Sequence, residues 1–226
     1  MSSPIVFVSG SKGGVGKSLA TMAILDYLTS MSRSVKLVET DLANPDVWKS
    51  YGGSVESEII DLDQVDGWIN MVNLFDADPP TTFVINTPAR NNEAAREHGA
   101  ILLDSLKELG RRLVTFWVIN RQRDSLELLE AYMESMPAGV VHVICNGYFG
   151  EPRKFELYNQ SPVKQAVKQQ GGVSLYLPDL ADRVTDALYT DRITIADAAT
   201  RLRLGDRAVL QSWRNSVRSM FEHVEL

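Results

Sequence analysis

The ten residues from Ser9 to Ser18 could bind the phosphates of a nucleotide. They read SGSKGGVGKS and lie between an apolar run and a helix-forming segment. The glycines permit backbone conformations that point consecutive N–H groups into one concavity, and the positive end of a helix beginning near Lys17 would add to this anion site. Lys17 is expected to reach the β- and γ-phosphates, and Ser18 to ligate Mg²⁺, whereas the alternative is a glycine-rich turn without a ligand. The predicted nucleotide contacts in this loop are Gly13, Gly14, Val15, Gly16, Lys17, Ser18 and Leu19.

The loop carries a second lysine where the standard motif has none. The pattern G-x-x-x-x-G-K-[ST] requires a glycine at position 11, but this chain has Ser11 followed by Lys12. Lys12 cannot easily serve the same phosphates, because Lys17 already occupies that side. Its position suits a contact across a subunit interface, where its charge would oppose the charge that develops on the γ-phosphoryl group of a partner's nucleotide. A solvent-exposed lysine is the alternative.

The segment KGGVGKS, residues 12–18, resembles the deviant Walker A motif of the ParA/MinD family of P-loop ATPases, whose signature lysine matches Lys12. The resemblance implies that ATP and Mg²⁺ are the cofactors. It also implies an ATP-dependent homodimer in which Lys12 acts catalytically in trans. Within the family, the compact form and Asn86 resemble the TraL/StbB-like proteins of conjugative plasmids.

Two further segments resemble the acidic motifs of this family, each with one departure. The run LVETD ends in Asp41, which matches the second acid of the D-x-D motif and is implied to lie near the attacking water; Glu39 replaces the first acid. A helix-capping role for Asp41 is the alternative. The run FVINTPA resembles the Walker B segment, but Asn86 replaces its aspartate, which predicts weaker Mg²⁺ binding and slow hydrolysis. The predicted metal ligands are Ser18, Asp41 and Asn86.

The adenine site is predicted from two later segments. Asn146 ends an apolar run and resembles the asparagine that reads adenine in this family, although an Asn-Gly pair after a strand is equally ordinary turn chemistry. Pro178 and Asp179 occupy the place of the family's adenine-pocket loop. The chain has no Asn-Lys-x-Asp motif for guanine, which favours ATP over GTP.

The elements that position these residues form an alternating pattern. Apolar runs separated by helix-length segments are typical of βαβ units, so we predict an α/β fold with a mainly parallel sheet covered by helices on both faces. The length of 226 residues fits one P-loop domain, residues 1–226. Residues 43–80 are less regular and predict a short helix and an edge hairpin beside the nucleotide. The predicted strands are Ile5–Val8, Val35–Val38, Phe83–Ile85, Leu113–Ile119, Val140–Ile144 and Val173–Leu177.

Composition excludes several classes of protein. The single cysteine, Cys145, excludes a disulfide framework within the chain. It also disfavours an iron–sulfur carrier, since a cluster shared across a dimer needs about two cysteines per subunit. No apolar run approaches the roughly 18 residues of a membrane span, and the apolar spacing from Val209 to Val224 predicts a helix packed on the sheet rather than on a membrane. We therefore expect a cytoplasmic protein. The net charge of −6 allows at most weak, nonspecific DNA binding by the arginines of residues 201–218.

Two functions remain open from the sequence. The first is a ParA/MinD-like weak ATPase whose ATP-bound dimer positions or segregates cargo such as plasmid DNA, with a ParB-like or cargo-adaptor partner. The second is a nucleotide-dependent scaffold or regulator that does not hydrolyse ATP and recruits a partner protein, for example in conjugative transfer. Turnover of ATP with Mg²⁺ discriminates between them.

Overall fold

The sheet at the centre of the molecule is wholly parallel. The computed structural model describes residues 3–89 and 91–226, and these form seven strands in the spatial order β3-β2-β4-β1-β5-β6-β7, each parallel to its neighbours. The predicted α/β class is confirmed, and all six predicted strands are present. The strands are β1 (Ile5–Gly10), β2 (Val35–Glu39), β3 (Glu56–Ile59), β4 (Thr82–Asn86), β5 (Leu113–Ile119), β6 (Val140–Asn146) and β7 (Ser174–Leu177).

Helices cover both faces of this sheet. They are α1 (Lys17–Ser30), α2 (Asp46–Tyr51), α3 (Val65–Ala77), α4 (Asn91–His98), α5 (Ala100–Leu109), α6 (Arg123–Ser135), α7 (Glu156–Asn159), α8 (Pro162–Gln169), α9 (Asp182–Thr190), α10 (Ile195–Arg201) and α11 (Leu204–Phe221). Because strand side chains alternate, Val6 and Val8 join the core with α1, α2 and α9 to α11, whereas Ile5 and Phe7 join the core with α3 to α8. The two apolar cores hold β1 between them.

The predicted edge hairpin in residues 43–80 is wrong. This region forms α2, the edge strand β3 and then α3, and β3 is parallel to β2. Half of the β3 sequence is acidic, and Glu56 pairs with Lys36 of β2 at 2.6 Å, so the strand lacks the apolar signature of a buried strand. The helix α3 buries Trp68, Met71 and Phe75 at the three- and four-residue spacing of a helix face.

The C-terminal helix α11 packs on the sheet, as its apolar spacing predicts. Leu210, Trp213, Val217 and Phe221 are buried against the core that contains α1. In residues 3–89 and 91–226, none of the helices is both long and apolar enough to cross a bilayer. The carboxyl ends of β1, β2, β4 and β6 meet at one edge of the sheet, which is where parallel α/β proteins bind ligands.

Candidate nucleotide-binding site

The loop between β1 and α1 has the backbone of an anion-binding turn. Gly14 and Gly16 have φ of 75° and 99°, in the left-handed region that side chains disfavour, and Gly16 immediately precedes α1. A Cβ atom at Gly16 would also collide with the Asn146 side-chain nitrogen. Gly13 differs, because a Cβ atom there would meet no atom within 4 Å. Two of the three glycines are therefore required by the loop itself.

The ammonium group of Lys17 lies inside this loop. Only 7% of the residue is exposed, and its Nζ donates a hydrogen bond to the Lys12 carbonyl oxygen at 3.2 Å. Burial lowers the pKa of Lys17, and attraction to the Asp41 carboxylate offsets part of this effect. A phosphate bound in the loop would raise the pKa of Lys17 further, since it would bring negative charge close to the buried ammonium group.

Lys12 lies on the outside of the loop and contacts its own chain. Its Nζ donates to the carboxylate of Asp124 in the first turn of α6, and this ion pair lowers the pKa of Asp124. Next to it, the hydroxyl groups of Ser11 and Ser125 lie 2.7 Å apart. The loop is thus tied to α6 by two adjacent contacts. The role of Lys12 in trans stays a prediction.

Asn86 lies at the end of β4 with both sides of its amide engaged. Its Nδ2 donates to Glu39 Oε1 at 2.8 Å, and its Oδ1 accepts from Thr21 Oγ1 at 2.9 Å. Asn86 is 1% exposed and is the register partner of Glu39 on β2. Thr21 was not among the residues predicted from the sequence. Its position four residues after Lys17, on the same face of α1, is the only sequence signal that marks it.

The Glu39 carboxylate organises the turn that follows β2. Oε1 accepts from the backbone N–H of Asp41 at 3.0 Å, and Oε2 accepts from the backbone N–H of Trp48 at 3.3 Å. Burial raises the pKa of Glu39 to about 6, although the hydrogen bonds from Asn86 and the backbone act in the opposite direction. Asp41 itself accepts from the Asn44 N–H at 3.0 Å, which closes a turn ahead of α2 rather than capping that helix.

The residues near this turn fit a magnesium ion. Ser18 in the first turn of α1 is half-buried, and Asp41 is partly exposed at the same edge of the sheet. Mg²⁺ is usually held by one or two carboxylates together with phosphate oxygens and water. Within the described ranges, no group of three or more His, Cys, Asp or Glu side chains could hold a metal by itself. The chemistry of the site therefore suits an ion that arrives with phosphates.

A cavity of about 430 Å³ extends from the loop across the sheet edge. This volume lies in the range of small-molecule sites. It is lined by the predicted residues Gly14, Gly16, Leu19, Asn146, Pro178 and Asp179. Five further residues line it that no sequence motif marks, on α9 or in the turn after β6: Tyr148, Asp182, Thr185, Asp186 and Tyr189. The structure thus brings the loop and the predicted adenine residues to one cavity.

Asn146 connects β6 to the phosphate-binding loop. Its Nδ2 donates to the Val15 carbonyl oxygen at 2.8 Å, and its Oδ1 accepts from the Tyr148 N–H at 3.1 Å. The second contact is the turn chemistry expected of an Asn-Gly pair. The adenine contact stays a prediction, and one N–H and one lone pair of the amide are left over for it.

The arginines of residues 201–218 are less available than the sequence suggests. Arg214 forms a two-point ion pair with Asp26 of α1 at 2.8 and 2.9 Å, and Arg201 pairs with Asp197 at 2.9 Å. Arg207 is half-buried, and its Nη1 donates a hydrogen bond to the Thr200 carbonyl oxygen at 3.4 Å. Part of the predicted DNA-binding charge is therefore used inside the protein.

The parallel sheet, the loop between β1 and α1 and the helices on both faces define a P-loop NTPase fold of the MinD type. The septum site-determining protein MinD from Pyrococcus horikoshii, complexed with Mg-ADP, aligns with 95% of this chain and 96% of its own, with a TM-score of 0.60 and 14% identity. A chain of the MinC:MinD cell division complex from Aquifex aeolicus aligns with 99% of this chain and 98% of its own, with a TM-score of 0.57 and 13% identity. The predicted resemblance to the ParA/MinD family is confirmed at the level of the fold. Its conjugative subset stays a prediction.

A much closer sequence relative defines the family more narrowly. Protein MobD from Acidithiobacillus ferrooxidans is 53% identical over 224 residues, which span 99% of each chain. The chain belongs to the family of protein MobD. No protein-family model matches the sequence.

Proposed function

We propose that this chain binds ATP with Mg²⁺ and forms an ATP-dependent homodimer that recruits a protein partner and hydrolyses ATP slowly. The observation that carries the proposal is the continuous cavity from Gly14 and Gly16 to Asn146, Pro178 and Asp179. It begins at a loop built to bind phosphates and ends at the residues expected around adenine. The Mg-ADP complex of P. horikoshii MinD supports the same ligand class.

The residues would divide the work as follows. The loop N–H groups, the start of α1 and Lys17 would hold the phosphates, since all are cationic or donate hydrogen bonds. Ser18 and Asp41 would hold Mg²⁺, which when bound supplies positive charge to the phosphate oxygens. Asp41 would also orient the attacking water. Lys12 would leave Asp124 in order to reach the nucleotide of a second copy.

Asn86 is the reason to expect slow turnover. An aspartate at this position would place a full negative charge near the metal's water shell, and a unit charge pair at ~4 Å is worth ~4 kcal/mol at an effective dielectric of ~20. The amide gives up most of that attraction. Its two hydrogen bonds, to Thr21 and Glu39, also direct it into the protein. Binding by the loop does not depend on Asn86, so ATP should be held while hydrolysis suffers.

The presence of Asn86 in place of an aspartate also favours a second candidate, a scaffold or regulator that binds ATP and dimerises without turnover. Either function requires a protein partner, which we propose to be a cargo adaptor, as in ParA-like systems with a ParB-like protein. The MinC:MinD complex supports a protein partner for this fold. Weak, salt-sensitive DNA binding through Arg203 and Arg218 is the remaining route to cargo such as a plasmid.

Calorimetry with ATP and GTP, each with Mg²⁺, tests the ligand. We expect ATP to bind more tightly, because the chain has no guanine motif, and equal or tighter binding of GTP would contradict the adenine assignment. Steady-state turnover across a Mg²⁺ titration separates the two functions. Slow turnover that Asp41→Ala abolishes, but the exposed Asp63→Ala does not, supports the ATPase. Bound ATP without turnover supports the scaffold.

A further inference from the structure

Glu39 and Asn86 form a hydrogen-bonded pair between two adjacent strands, and the negative charge of this pair lies on the Glu39 carboxylate. They are register partners at the carboxyl ends of β2 and β4, and both are buried, at 0% and 1% exposure. The hydrogen bond between them is 2.8 Å long, from the amide to the carboxylate. Strand β4 contains no Asp or Glu, so the carboxylate of this pair is that of Glu39 on β2.

This pair lies in the middle of a chain of hydrogen bonds. At one end, Thr21 Oγ1 lies 2.9 Å from both the Lys17 carbonyl oxygen and Asn86 Oδ1. At the other end, the two Glu39 oxygens accept the backbone N–H groups of Asp41 and Trp48. The chain therefore runs from the helix that follows the phosphate-binding loop to the turn that holds Asp41 and to the first turn of α2.

We propose that Glu39 is a positioning residue, whose carboxylate fixes Asp41 and the start of α2 relative to the phosphate-binding loop by way of Asn86 and Thr21. The inference rests on the proposed function only for the ligand of the loop, because the positioning itself is a property of the free protein. Both Glu39 oxygens are needed, since each accepts a different backbone donor and one of them also accepts from Asn86.

The chemistry of the pair predicts which substitutions it tolerates. Glu39→Gln replaces one acceptor oxygen by an NH₂ group, which would face another N–H donor. Asn86→Asp places two buried carboxylates against each other at the former hydrogen-bond distance. The exchange variant Glu39→Gln with Asn86→Asp restores one negative charge and one donor–acceptor bond between the strands, with the charge now on β4.

A double-mutant cycle in the nucleotide-free protein tests the positioning. The two single variants, the exchange variant and the wild type are compared in urea unfolding, with the exposed Glu58→Gln on β3 as the matched control. We expect each single variant to be less stable than the wild type. The unfolding equilibrium constant of the exchange variant should be at least about tenfold smaller than the value obtained by multiplying the effects of the two single substitutions. Additive effects, or a Glu39→Gln variant as stable as Glu58→Gln, would overturn the proposal.

The fluorescence of Trp48 supplies a readout that general destabilisation does not move. Trp48 is 40% exposed, whereas the other three tryptophans are at most 4% exposed, and the Trp48→Phe protein gives the background to subtract. We expect the Mg²⁺ complex of a nonhydrolysable ATP analogue to shift the Trp48 emission in the wild type. Folded Glu39→Gln protein should bind the analogue with little or no shift. The exchange variant should not regain the full shift, because position 39 still has one acceptor oxygen for two backbone N–H donors.

An equal Trp48 shift in wild type and Glu39→Gln would show that Glu39 does not connect the loop to α2 and would overturn the proposal. If calorimetry shows that the wild type does not bind the analogue, the proposed function fails instead. The unfolding cycle, which uses no nucleotide, then still decides whether Glu39 positions this segment.

Discussion

Lys12 of the phosphate-binding loop is ion-paired with Asp124 at the start of α6 in the same chain. A lysine that acts on a partner's nucleotide must break this contact first. The pair is exposed on both sides, at 43% and 55% of the side chains, so its removal should change folding stability little. If the proposed dimer forms, this ion pair would compete with the contact between Lys12 and the partner's nucleotide.

We therefore expect Asp124→Asn to favour the ATP-bound dimer and Lys12→Ala to prevent it. Light scattering with a nonhydrolysable ATP analogue measures both, and the exposed Glu127→Gln on the same helix is the control. A dimer that forms equally without nucleotide, or equally in Lys12→Ala, would remove the role of Lys12 in trans.

Gly16→Ala should destabilise the protein and abolish nucleotide binding. The left-handed backbone costs a residue with a Cβ atom roughly 1–2 kcal/mol, and the collision with Asn146 adds to this cost. Gly13→Ala is the matched control in thermal unfolding, because the free loop has open space at that position. Equal losses of stability in the two variants would show that the loop is not held as described.

Lys17→Met should separate binding from stability. Burial disfavours the ammonium group in the free protein, as its lowered pKa indicates, so the methionine variant should be no less stable than the wild type without nucleotide. Its affinity for ATP should fall by roughly 100-fold or more, the scale of losing a buried charge pair. Urea unfolding and calorimetry measure the two effects, and undiminished ATP binding would place the phosphates elsewhere.

His142 should make the fold less stable as the pH falls. It lies on β6, 7% exposed, and its Nδ1 accepts from the Val173 N–H at 3.1 Å. Burial lowers the pKa of His142 from 6.5 to about 4, so between these values the unfolded chain binds a proton that the folded protein does not. Stability is complete above pH 6.5 and declines toward pH 4, by about 3 kcal/mol in total from this residue.

Unfolding measured between pH 4 and 7 tests this slope. His142→Asn keeps an acceptor near Nδ1 but does not titrate, so its stability should change less with pH than that of the wild type. An unchanged slope in His142→Asn would assign the pH dependence to other groups.

The sequence predicts the parts of this protein that are encoded locally. The loop, the helix after it and the apolar strands are each marked by a short run of residue types, and the sheet class follows from their alternation. The strand β3 was not predicted, because its exposed position at the sheet edge allows Glu56 and Glu58, and acidic residues are typical of a surface loop.

The contacts that define the site are not local, and the sequence does not predict them. Thr21 and Asn86 are hydrogen-bonded although they lie 65 residues apart in the sequence, and Lys12 and Asp124 are in contact although they lie 112 residues apart. Both contacts depend on which strands are neighbours, an order that the alternating pattern leaves open. The acidic and aromatic residues of α9 reach the cavity for the same reason.

The hydrogen bond from Asn146 to the Val15 carbonyl oxygen spans 131 residues, and this has a consequence for protein synthesis. The phosphate-binding loop leaves the ribosome before β4 and β5, which are the neighbours of β1, and Asn146 follows both strands. Because a growing chain folds as its contacts become available, the loop lacks its contact with Asn146 until β6 has been translated. A nascent chain would therefore carry the complete motif, but no pocket to hold a nucleotide, until Asn146 has emerged.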